Sequence, residues 1–440
     1  MFARMRTTAD VVICGAGVAG AAAAYHLATR QSVGRVVIVD EREPLTLTSD
    51  KGTQGYRNWW PGPDDTMLRL VSRSIDLMEQ SAAECDNCFR MNRRGYLFAT
   101  ADEAQIAVLK ETAQQVSSFG MGPLRIHPGD ARYSPHAAEG YADRPIGADL
   151  LLGDEARRSF PYLASDTVAA LHIRRAGTFN GVAFGSWLLK RAMASGARMV
   201  RDRVVGVGTT AGRVHEVRLA SGDVIATEKF VAAAGPGLHD VGRMLGLELP
   251  LVHELHSKVR IRDTHAVVPR DAPFVIWTDP MTLDGEALPG GVHVRPVDLT
   301  HGDELYLIWT YESEARPYVW PPTFNPKYAD LVLRGCARMI PALAPYVDAM
   351  RSHAVTDGGY YCKTPENRPL VGPLPVEGTY VVGALSGMGL MSAHACGELL
   401  SLHVAEQTLP DYAPWFLPSR YDDPAYQTLV GQWGPRMGQL

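Results

Sequence analysis

Three glycines near the start of the chain have a spacing that suits phosphate binding. The segment "GAGVAG" carries Gly15, Gly17 and Gly20 in the pattern G-x-G-x-x-G, and Asp40 lies 20 residues after the last of them. In this pattern the first glycine permits a tight turn, the second leaves room for a pyrophosphate, and the third lets a helix pack closely on a sheet. A carboxylate at the position of Asp40, or at neighbouring Glu41, can accept hydrogen bonds from a ribose. These residues predict a dinucleotide site without deciding between NAD and FAD.

A strand, a helix and a second strand are needed to position this motif. Residues 10–14, "DVVIC", and residues 35–39, "RVVIV", have the apolar character of two short strands. The alanine-rich segment "AGAAAAYHLATR" between them has the composition and the length of a helix. The unpaired amides at the start of that helix, near Val18 and Ala19, would face the phosphates. The N-terminal residues therefore predict one β-α-β unit.

The composition limits the classes of protein that fit. A chain of 440 residues is too long for one compact core, so we expect two domains. The content of 46% apolar and 21% charged residues is typical of a soluble globular protein. The net charge of −5, with both signs interspersed, argues against a nucleic-acid partner. We expect no membrane span and a cytoplasmic location, because no apolar run approaches the length of a bilayer span and no signal segment is evident.

The cysteines are too sparse for a disulfide framework, with six in the whole chain. Cys14 and Cys396 lie among small residues, which predicts buried thiols. Cys85 and Cys88 form a C-x-x-C pair, but a zinc site needs four ligands and no second pair lies at a suitable spacing. We therefore expect neither a metal site nor redox chemistry at this pair.

Two later segments also contain glycine-rich junctions between a strand and a helix. Residues 196–246 alternate short strands with glycine turns and end in a small-residue run around Gly235. Residues 356–404 contain a proline-rich loop, a strand at "TYVVGAL", a glycine cluster at Gly387 and Gly389, and a helix. If the ligand is long, the N-terminal motif and this last junction must both contact it.

Together these segments resemble the D-amino acid oxidase and sarcosine oxidase family of FAD-dependent amine oxidoreductases. The resemblance covers nearly the whole chain and is carried by "GAGVAG" with Asp40, "GARMVRDRVVGV" followed by "FVAAAGPG", "GTFN" at 177–180, and "TPENRPLVGPLP" with "VVGALSGMGL". It implies a two-domain α/β fold, in which a glutathione-reductase-type Rossmann domain binds FAD and an inserted antiparallel sheet binds the substrate. The implied boundaries are 1–90, 150–250 and 355–440 for the FAD domain, and 91–149 and 251–354 for the substrate domain.

The resemblance also implies which residues contact FAD. Gly387 and Gly389 would let backbone amides approach the flavin, and the positive end of the following helix would stabilise its reduced, negatively charged form. Met388 would lie beside the ring, or else in the core. A hydroxyl at Ser49 and an ammonium at Lys51 suit phosphate oxygens. The expected FAD contacts are Gly15, Gly17, Val18, Ala19, Gly20, Asp40, Glu41, Ser49, Lys51, Val204, Val205, Ala234, Gly235, Gly383, Gly387, Met388, Gly389, Leu390 and Met391.

Three departures from the family pattern bear on the chemistry. The cysteine that tethers the flavin in sarcosine oxidase relatives is Gly359 here, and Cys362 is out of register, so we expect noncovalent FAD. The lysine that holds the substrate carboxylate in those relatives is replaced by Met391, which argues against a sarcosine-like substrate. The roof-sheet lysine linked to oxygen activation falls near Tyr306. Oxidase and dehydrogenase activities therefore both remain open.

The segment "TSDKGTQGYRNWWPGPD", residues 48–64, corresponds to a family loop that passes beside the flavin and the substrate. Arg57 could clamp a substrate carboxylate with its two-pronged guanidinium, although a salt bridge is the alternative role. Tyr56 and the neighbouring tryptophans could form an apolar wall. The family also places a residue of the "GGYY" segment over the ring, and Tyr361 is the candidate. The candidate catalytic residues are therefore Arg57, Tyr361, Tyr56 and Tyr306.

The chain has only one complete G-x-G-x-x-G, so a separate NADPH module is not expected and the organic substrate would supply the electrons. The leading hypothesis is oxidation of the C–N bond of an amine or amino acid. Hydride would pass from the unprotonated amine to flavin N5, the imine would hydrolyse, and oxygen or another acceptor would reoxidise the flavin. One alternative is oxidation of a 2-hydroxy acid, with His253, His256 or His394 as the base. The other is a flavin-binding protein without turnover. The sequence does not indicate which oligomeric state the chain adopts.

Overall fold

The computed structural model describes residues 6–129, 133–135, 139–297, 303–349 and 354–433. The described residues form eleven α-helices: α1 Val18–Tyr25, α2 Thr48–Lys51, α3 Thr66–Glu84, α4 Glu103–Val116, α5 Asp154–Ser159, α6 Gly181–Ala194, α7 Leu238–Met244, α8 Tyr328–Met339, α9 Ala344–Ala349, α10 Gly389–Val404 and α11 Pro424–Val430. None of these helices combines the length and the apolar character that crossing a membrane requires.

A six-stranded sheet carries the N-terminal glycine motif. Its strands are, in order across the sheet, β10 Arg198–Arg201, β3 Val36–Asp40, β2 Val11–Cys14, β14 Phe230–Ala232, β23 Thr379–Gly383 and β22 Leu370–Pro373. All neighbouring pairs are parallel except β22 with β23. The apolar helix α1 follows β2 and contacts α6 and α10. The predicted β-α-β unit is confirmed, and the carboxyl ends of its parallel strands form one edge at which a ligand can bind.

A nine-stranded sheet, which we call the roof sheet, forms the second large layer. Its strands are, in order, β21 Val355–Lys363, β15 Val252–Arg262, β20 Glu304–Trp309, β19 Val292–Pro296, β16 Phe274–Trp277, β5 Tyr96–Thr100, β8 Ala169–Ile173, β7 Ala148–Leu152 and β6 Leu124–His127. Its pairs are antiparallel except β16 with β5 and β6 with β7. The segments "FVIWTDP", "GVHVRPV" and "ELYLIWTYE", whose alternation is typical of strands, contain β16, β19 and β20. The sheet extends beyond the limits predicted for the inserted domain, because β8 and β21 belong to it.

The two faces of the roof sheet differ in chemistry. One face is apolar and packs against α8, with Val259, Leu307 and Trp309 among its buried residues. Because successive side chains of a strand point to opposite faces, the other face carries the polar positions of the same strands. We call this polar side the roof face; the strand register places on it Tyr96, Glu254, His256, Lys258, Arg295, Tyr306 and Tyr361. Glu254, His256 and Lys258 are buried, so they need partners inside the protein.

The remaining strands form a four-stranded sheet and two antiparallel pairs. The sheet contains β1 Arg6–Thr8, β13 Val224–Ala226, β12 Arg213–Leu219 and β11 Val204–Thr210. The pairs are β17 Met281–Leu283 with β18 Glu286–Leu288, and β4 Gly55–Arg57 with β9 Ala176–Thr178. The β4–β9 pair holds the loop segment that follows α2. Alternation along β4 sends the Tyr56 and Arg57 side chains in opposite directions. The whole arrangement confirms the predicted fold class, a Rossmann-type α/β domain combined with a separate, mostly antiparallel sheet.

The cysteines depart from the expectation at one place. Cys85 and Cys88, just after α3, form a disulfide, which the sequence analysis did not predict. Their Cα atoms lie 5.4 Å apart, within the range that a disulfide can bridge. Cys14 and Cys396 are buried free thiols, as predicted. Among the described residues, no group of histidine, cysteine, aspartate or glutamate side chains could hold a metal ion.

Candidate functional site

A cleft with a volume of about 310 Å³ runs along the carboxyl ends of β2, β14 and β23. It is lined by most of the residues predicted to contact FAD: Gly15, Gly17, Val18, Ala19, Asp40, Glu41, Ser49, Val204, Ala234, Gly235, Gly383, Gly387, Gly389 and Leu390. The three glycine-rich segments, which are far apart in the sequence, therefore meet along one surface. We call this surface the cofactor cleft.

The glycine turn at the start of α1 is fixed by close backbone contacts. Gly15 has a φ of +113°, and a Cβ atom there would lie 2.4 Å from the carbonyl oxygen of Ala233. A Cβ atom on Gly20 would lie 1.9 Å from the carbonyl oxygen of Gly15. Only glycine fits at either position, because a side chain would collide with backbone atoms. The contacts place the amide end of α1 against the cofactor cleft, where it can face a pyrophosphate.

Two predicted ligand residues also hold this turn. One oxygen of the Asp40 carboxylate accepts a hydrogen bond from the Ala16 amide at 2.7 Å, and the other accepts one from the Arg42 amide at 2.9 Å. The Val18 amide donates to Ser49 Oγ at 3.0 Å. Each carboxylate oxygen has a second lone pair, so Asp40 can still accept hydrogen bonds from a ribose. The residues present therefore fit a dinucleotide.

The remaining predicted FAD contacts do not line the cofactor cleft; they are Gly20, Lys51, Val205, Met388 and Met391. The Lys51 ammonium forms ion pairs with Asp357 at 3.1 Å and with Asp50 at 3.3 Å. Val205 is 42% exposed, whereas its neighbour Val204 is buried. Both methionines are buried in the apolar core beside α1 and α3. Direct contacts from these residues to FAD remain predictions.

Several lining residues were not predicted from the sequence: Arg42, Thr48, Asp240, Tyr318 and Tyr360. Arg42 and Thr48 lie close to predicted contacts and could have been found by extending those segments. Tyr318 comes from the chain between β20 and α8, where no sequence motif indicates a ligand. It approaches the cofactor cleft from the opposite domain.

Tyr361 lies between the glycine cluster and a buried network on the roof face. A Cβ atom on Gly387 would lie 2.4 Å from Tyr361 Cε2, so the ring touches this glycine directly. On its other side, Tyr361 stacks on His256 with ring centroids 3.9 Å apart. Glu254 lies 2.9 Å from His256 Nε2, and the Lys363 ammonium donates to Glu254 at 2.6 Å. These contacts fix the Tyr361 ring at the wall of the cofactor cleft.

The electrostatics of this network follow from its burial. Burial alone would raise the pKa of Glu254, but the hydrogen bonds from His256 and Lys363 outweigh it and lower that pKa. Burial lowers the pKa of His256, despite the opposing effect of Glu254. The other two histidines considered as bases lie elsewhere. His253 points to the opposite side of β15, and His394 lies in the core, 2.9 Å from His26.

Arg57 lies partly buried beneath the roof face, and no acidic side chain of the described ranges forms an ion pair with it. Its guanidinium is 5.5 Å from the ring centroid of Tyr96 and 6.0 Å from that of Trp60. Burial lowers the pKa of Arg57, and the opposing contributions come from the hydroxyls of Tyr96 and Tyr361. Arg57 Nε is buried and has no hydrogen-bond partner among the described residues. The described part of the chain shows no salt bridge of Arg57, and its role as a carboxylate clamp remains a prediction.

The other two candidate catalytic residues lie away from the cofactor cleft. Tyr56 is fully buried, and its hydroxyl donates to the carbonyl oxygen of Asn92 at 2.7 Å. Tyr306 lies on the roof face between two cations. The Lys258 ammonium and the Arg295 guanidinium are each 4.7 Å from its ring centroid. A catalytic role for either tyrosine remains a prediction.

Lys258 is a candidate functional residue that the sequence analysis missed. Its ammonium donates to the carbonyl oxygen of Asp50 at 3.1 Å, beside α2. Burial lowers the pKa of Lys258 to about 8. Tyr306 stands where the resemblance implies a roof-sheet lysine, and Lys258 lies beside it on the neighbouring strand. The signal was present in the sequence as alternating polar residues along "HELHSKVR", a pattern typical of a strand with one polar face.

The fold and the cofactor cleft together are those of a protein that binds a dinucleotide. A sequence profile of the family described as "FAD dependent oxidoreductase" matches residues 10–402. This chain belongs to that family, which confirms the resemblance inferred from the motifs, and its cofactor is FAD.

Curated proteins match most of this chain at low sequence identity. The chain is 23% identical over 408 residues to mitochondrial sarcosine dehydrogenase of Mus musculus, covering 90% of this chain and 39% of the relative. It is 24% identical over 425 residues to the uncharacterized oxidoreductase YurR of Bacillus subtilis, covering 92% and 97%. The chain therefore spans about two fifths of the length of the first of these relatives.

Solved structures share the fold. The structure of L-proline dehydrogenase from P. horikoshii matches with a TM-score of 0.75 and 22% identity, over 95% of this chain and 99% of that one. Glycine oxidase from Bacillus cereus ATCC 14579 matches with a TM-score of 0.70 and 16% identity, over 91% and 96%. These likenesses extend over more than nine tenths of this chain and show that its overall fold is shared.

Proposed function

We propose that this chain oxidises the C–N bond of an amine or amino acid to an imine, which then hydrolyses. The observation that carries the proposal is Arg57, a guanidinium that has no acidic partner among the described residues and that interacts electrostatically with Tyr361. Tyr361 in turn touches Gly387 at the wall of the cofactor cleft. A guanidinium in such a place suits a carboxylate that arrives with the substrate. The relatives named for sarcosine, proline and glycine support the same class of substrate.

Arg57 would hold the carboxylate of an amino acid by two parallel hydrogen bonds. Its low exposure strengthens such a pair, because Coulomb attraction grows as water is excluded. The hydroxyl of Tyr96 lies against the same guanidinium and limits its rotation. The substrate would thereby be oriented at the Gly387 end of the cofactor cleft, where bound FAD supplies hydride-accepting chemistry.

The roof face would keep the substrate amine neutral. Lys258 and Arg295 lie on this face, and Arg57 lies beneath it. Positive charges disfavour protonation of a nearby amine, so they lower the pKa of the bound substrate. A neutral amine has the free lone pair that drives loss of hydride from the adjacent carbon. Tyr361, held by His256, would close the site on the side of the glycine cluster.

Noncovalent binding of FAD is part of the proposal. Gly359 has no thiol, and a Cβ atom there would already lie 3.0 Å from Lys51 Cβ. Cys362 lines the cofactor cleft, but burial raises its pKa to about 12, so the thiol stays protonated at neutral pH. Acid precipitation should therefore release all the flavin into the supernatant. Flavin colour retained in the washed precipitate would contradict noncovalent binding.

The proposed reaction can be tested by anaerobic mixing of the holoprotein with a panel of amines and amino acids. Substrates should bleach the flavin without NADH or NADPH. Arg57→Ala should leave FAD content unchanged and lower the rate of reduction at low substrate by about 30-fold or more, as loss of one side of a desolvated charge pair does. Arg57→Lys should recover part of the rate. Arg334→Ala, a surface variant that removes an ion pair with Asp284, is the matched control.

Rapid reduction by either nicotinamide would contradict the proposal, as would an amine panel without effect. Normal kinetics in Arg57→Ala would remove Arg57 from the site and favour amines that lack a carboxylate. Oxygen or another electron acceptor would reoxidise the flavin. We propose the cytoplasm as the place of action, which cell fractionation can test.

The second candidate function is oxidation of a 2-hydroxy acid. The observation that favours it is the His256–Glu254 pair, since a histidine held by a carboxylate can take the proton of a hydroxyl group. In that case hydroxy acids would bleach the flavin and amines would not. His256→Asn would abolish that reaction, while flavin content would stay the same. If neither class of substrate bleaches the flavin, the chain is a flavin-binding protein without this turnover.

A further inference from the structure

The chain between β20 and α8 crosses from the roof sheet to the cofactor cleft. It is anchored on β15 at two points. Ala315 forms a β-bridge with Glu254, and the Arg316 amide donates to the carbonyl oxygen of His253 at 2.8 Å. We call residues 315–320 the strap. Its first residues are thus fixed to the same strand that supports Tyr361.

The middle of the strap lies on Tyr360, a residue that lines the cofactor cleft. The Val319 amide donates to the Tyr360 hydroxyl at 3.3 Å. The Tyr318 ring meets the Tyr360 ring edge-on, with centroids 5.2 Å apart. Tyr360 is itself tied to the cleft, because Thr48 Oγ1 donates to its carbonyl oxygen at 2.8 Å.

The end of the strap reaches Arg42, on the other side of the cofactor cleft. The Arg42 guanidinium lies 5.6 Å from the ring centroid of Trp320, a cation–π distance. Arg42 follows β3, and its amide donates to the Asp40 carboxylate. The strap therefore connects the roof sheet to the loop that follows Asp40, the predicted ribose ligand.

Tyr318 contributes directly to the lining of the cofactor cleft. Among the described residues from 251 to 349, it is the one that lines this cleft. The acidic side chains of Glu41 and Asp240 are among its electrostatic neighbours. Tyr318 therefore stands at the part of the cleft near Glu41, the neighbour of Asp40.

We propose that the strap retains FAD from the substrate-domain side. Tyr318 is a cofactor-contacting residue at the Asp40 end of the cleft, and the Trp320–Arg42 contact is a latch that must open before FAD can leave. Because the two parts act differently, they have separable effects. Loss of the latch speeds both entry and release of FAD, whereas loss of the Tyr318 ring speeds release.

The test measures FAD binding to apoprotein by flavin fluorescence, with association and dissociation rates from stopped flow. Arg42→Gln and Trp320→Ala should each raise both rates by about threefold, the size expected for one partly exposed cation–π contact. Combining them should add nothing, because both remove the same contact. Tyr318→Ala should raise the dissociation rate by about fivefold, as loss of one aromatic contact does, while Tyr318→Phe should stay near the wild type.

Val319→Ala is the matched control, because the Val319 side chain is 59% exposed and only its amide is used. The melting temperature of each apoprotein reports whether the fold is intact. Arg42→Gln changes a partly exposed surface position and keeps the test open if Tyr318→Ala does not fold. Unchanged FAD rates in Arg42→Gln, Trp320→Ala and Tyr318→Ala would overturn the proposal, and so would an equal change in Val319→Ala. FAD binding is measured without turnover, so failure of the amine reaction would leave this result unaffected.

Discussion

The backbone wall of the cofactor cleft and the roof face are built in different ways. The wall formed by β2, α1 and the glycine cluster is made of backbone, with glycines at Gly15 and Gly387 in direct contact with neighbouring chain or ring atoms. The roof face is made of buried charged side chains such as Glu254 and Lys258. The first wall depends on volume, because an added side chain has nowhere to go. The second depends on pairing, because a buried charge without a partner is costly.

The largest expected effect tests the backbone wall. Gly17→Leu should abolish FAD binding, because the new side chain would fill space at the start of α1 that a pyrophosphate needs. Gly17→Ala is the matched control, since a Cβ atom there would lie 3.4 Å from Ser49 Oγ, an ordinary contact. Flavin absorbance per folded chain measures the result. Stoichiometric FAD in Gly17→Leu would show that this wall does not depend on free volume at Gly17.

The roof face should respond to loss of charge with loss of stability. Glu254→Ala leaves Lys363 and His256 buried without their partner, which should lower the free energy of unfolding by about 3–5 kcal/mol. Urea unfolding of the FAD-free protein gives the value. Glu111→Ala, at an exposed position of α4, should change it by less than about 0.5 kcal/mol. A loss in Glu254→Ala as small as that of the control would show that the roof network does not depend on pairing.

An intermediate effect is expected where a charged side chain belongs to the backbone wall. Asp40→Asn should weaken FAD binding by about tenfold to 100-fold, or about 1.5–3 kcal/mol, because charge-assisted hydrogen bonds are lost. Glu41→Gln should have less effect, since Glu41 is more exposed. Titration with FAD, followed by fluorescence, measures both. A larger effect in Glu41→Gln would transfer the ribose-binding role to that residue.

The smallest effect concerns a polar pair in the core of the FAD domain. Burial lowers the pKa of His394 to about 3 and that of His26 well below its ordinary value, so both are neutral in the folded protein. As the pH falls below about 6.5, both histidines take up protons in the unfolded chain but stay neutral in the folded protein. The free energy of unfolding should therefore decrease by about 1.4 kcal/mol for each pH unit and each histidine. His394→Asn should reduce this slope, whereas His215→Gln, at an exposed position, should not. If the pH dependence of stability is unchanged in His394→Asn, His394 is not the buried neutral group responsible for it.

The backbone wall was largely predictable because its signals are local. The spacing of Gly15, Gly17 and Gly20, and the apolar runs on either side, belong to one short segment whose conformation those residues determine. The same reasoning found the strand before Gly387. It did not separate Val204 from Val205, because the phase of alternation along a strand depends on what the sheet packs against.

The contacts of the roof face and of the strap were not predictable, because they join residues that are far apart in the sequence. Glu254 faces Tyr361 across two strands whose positions in the sequence are more than a hundred residues apart. Nothing near Lys51 in the sequence indicates that Asp357 will be its partner. The Trp320–Arg42 contact likewise joins elements from different domains. The tertiary arrangement decides such pairings, so local sequence patterns do not predict them.

The order of strands in the six-stranded sheet has a consequence for synthesis on the ribosome. β14 lies between β2 and β23, yet β23 spans Thr379–Gly383, long after β14 at Phe230–Ala232. While the intervening chain is being translated, the parallel sheet already made has β14 as an unpaired edge. Exposed edges of this kind invite wrong pairing between nascent chains. Slower translation of the region between the two strands should therefore prolong the interval in which aggregation competes with folding.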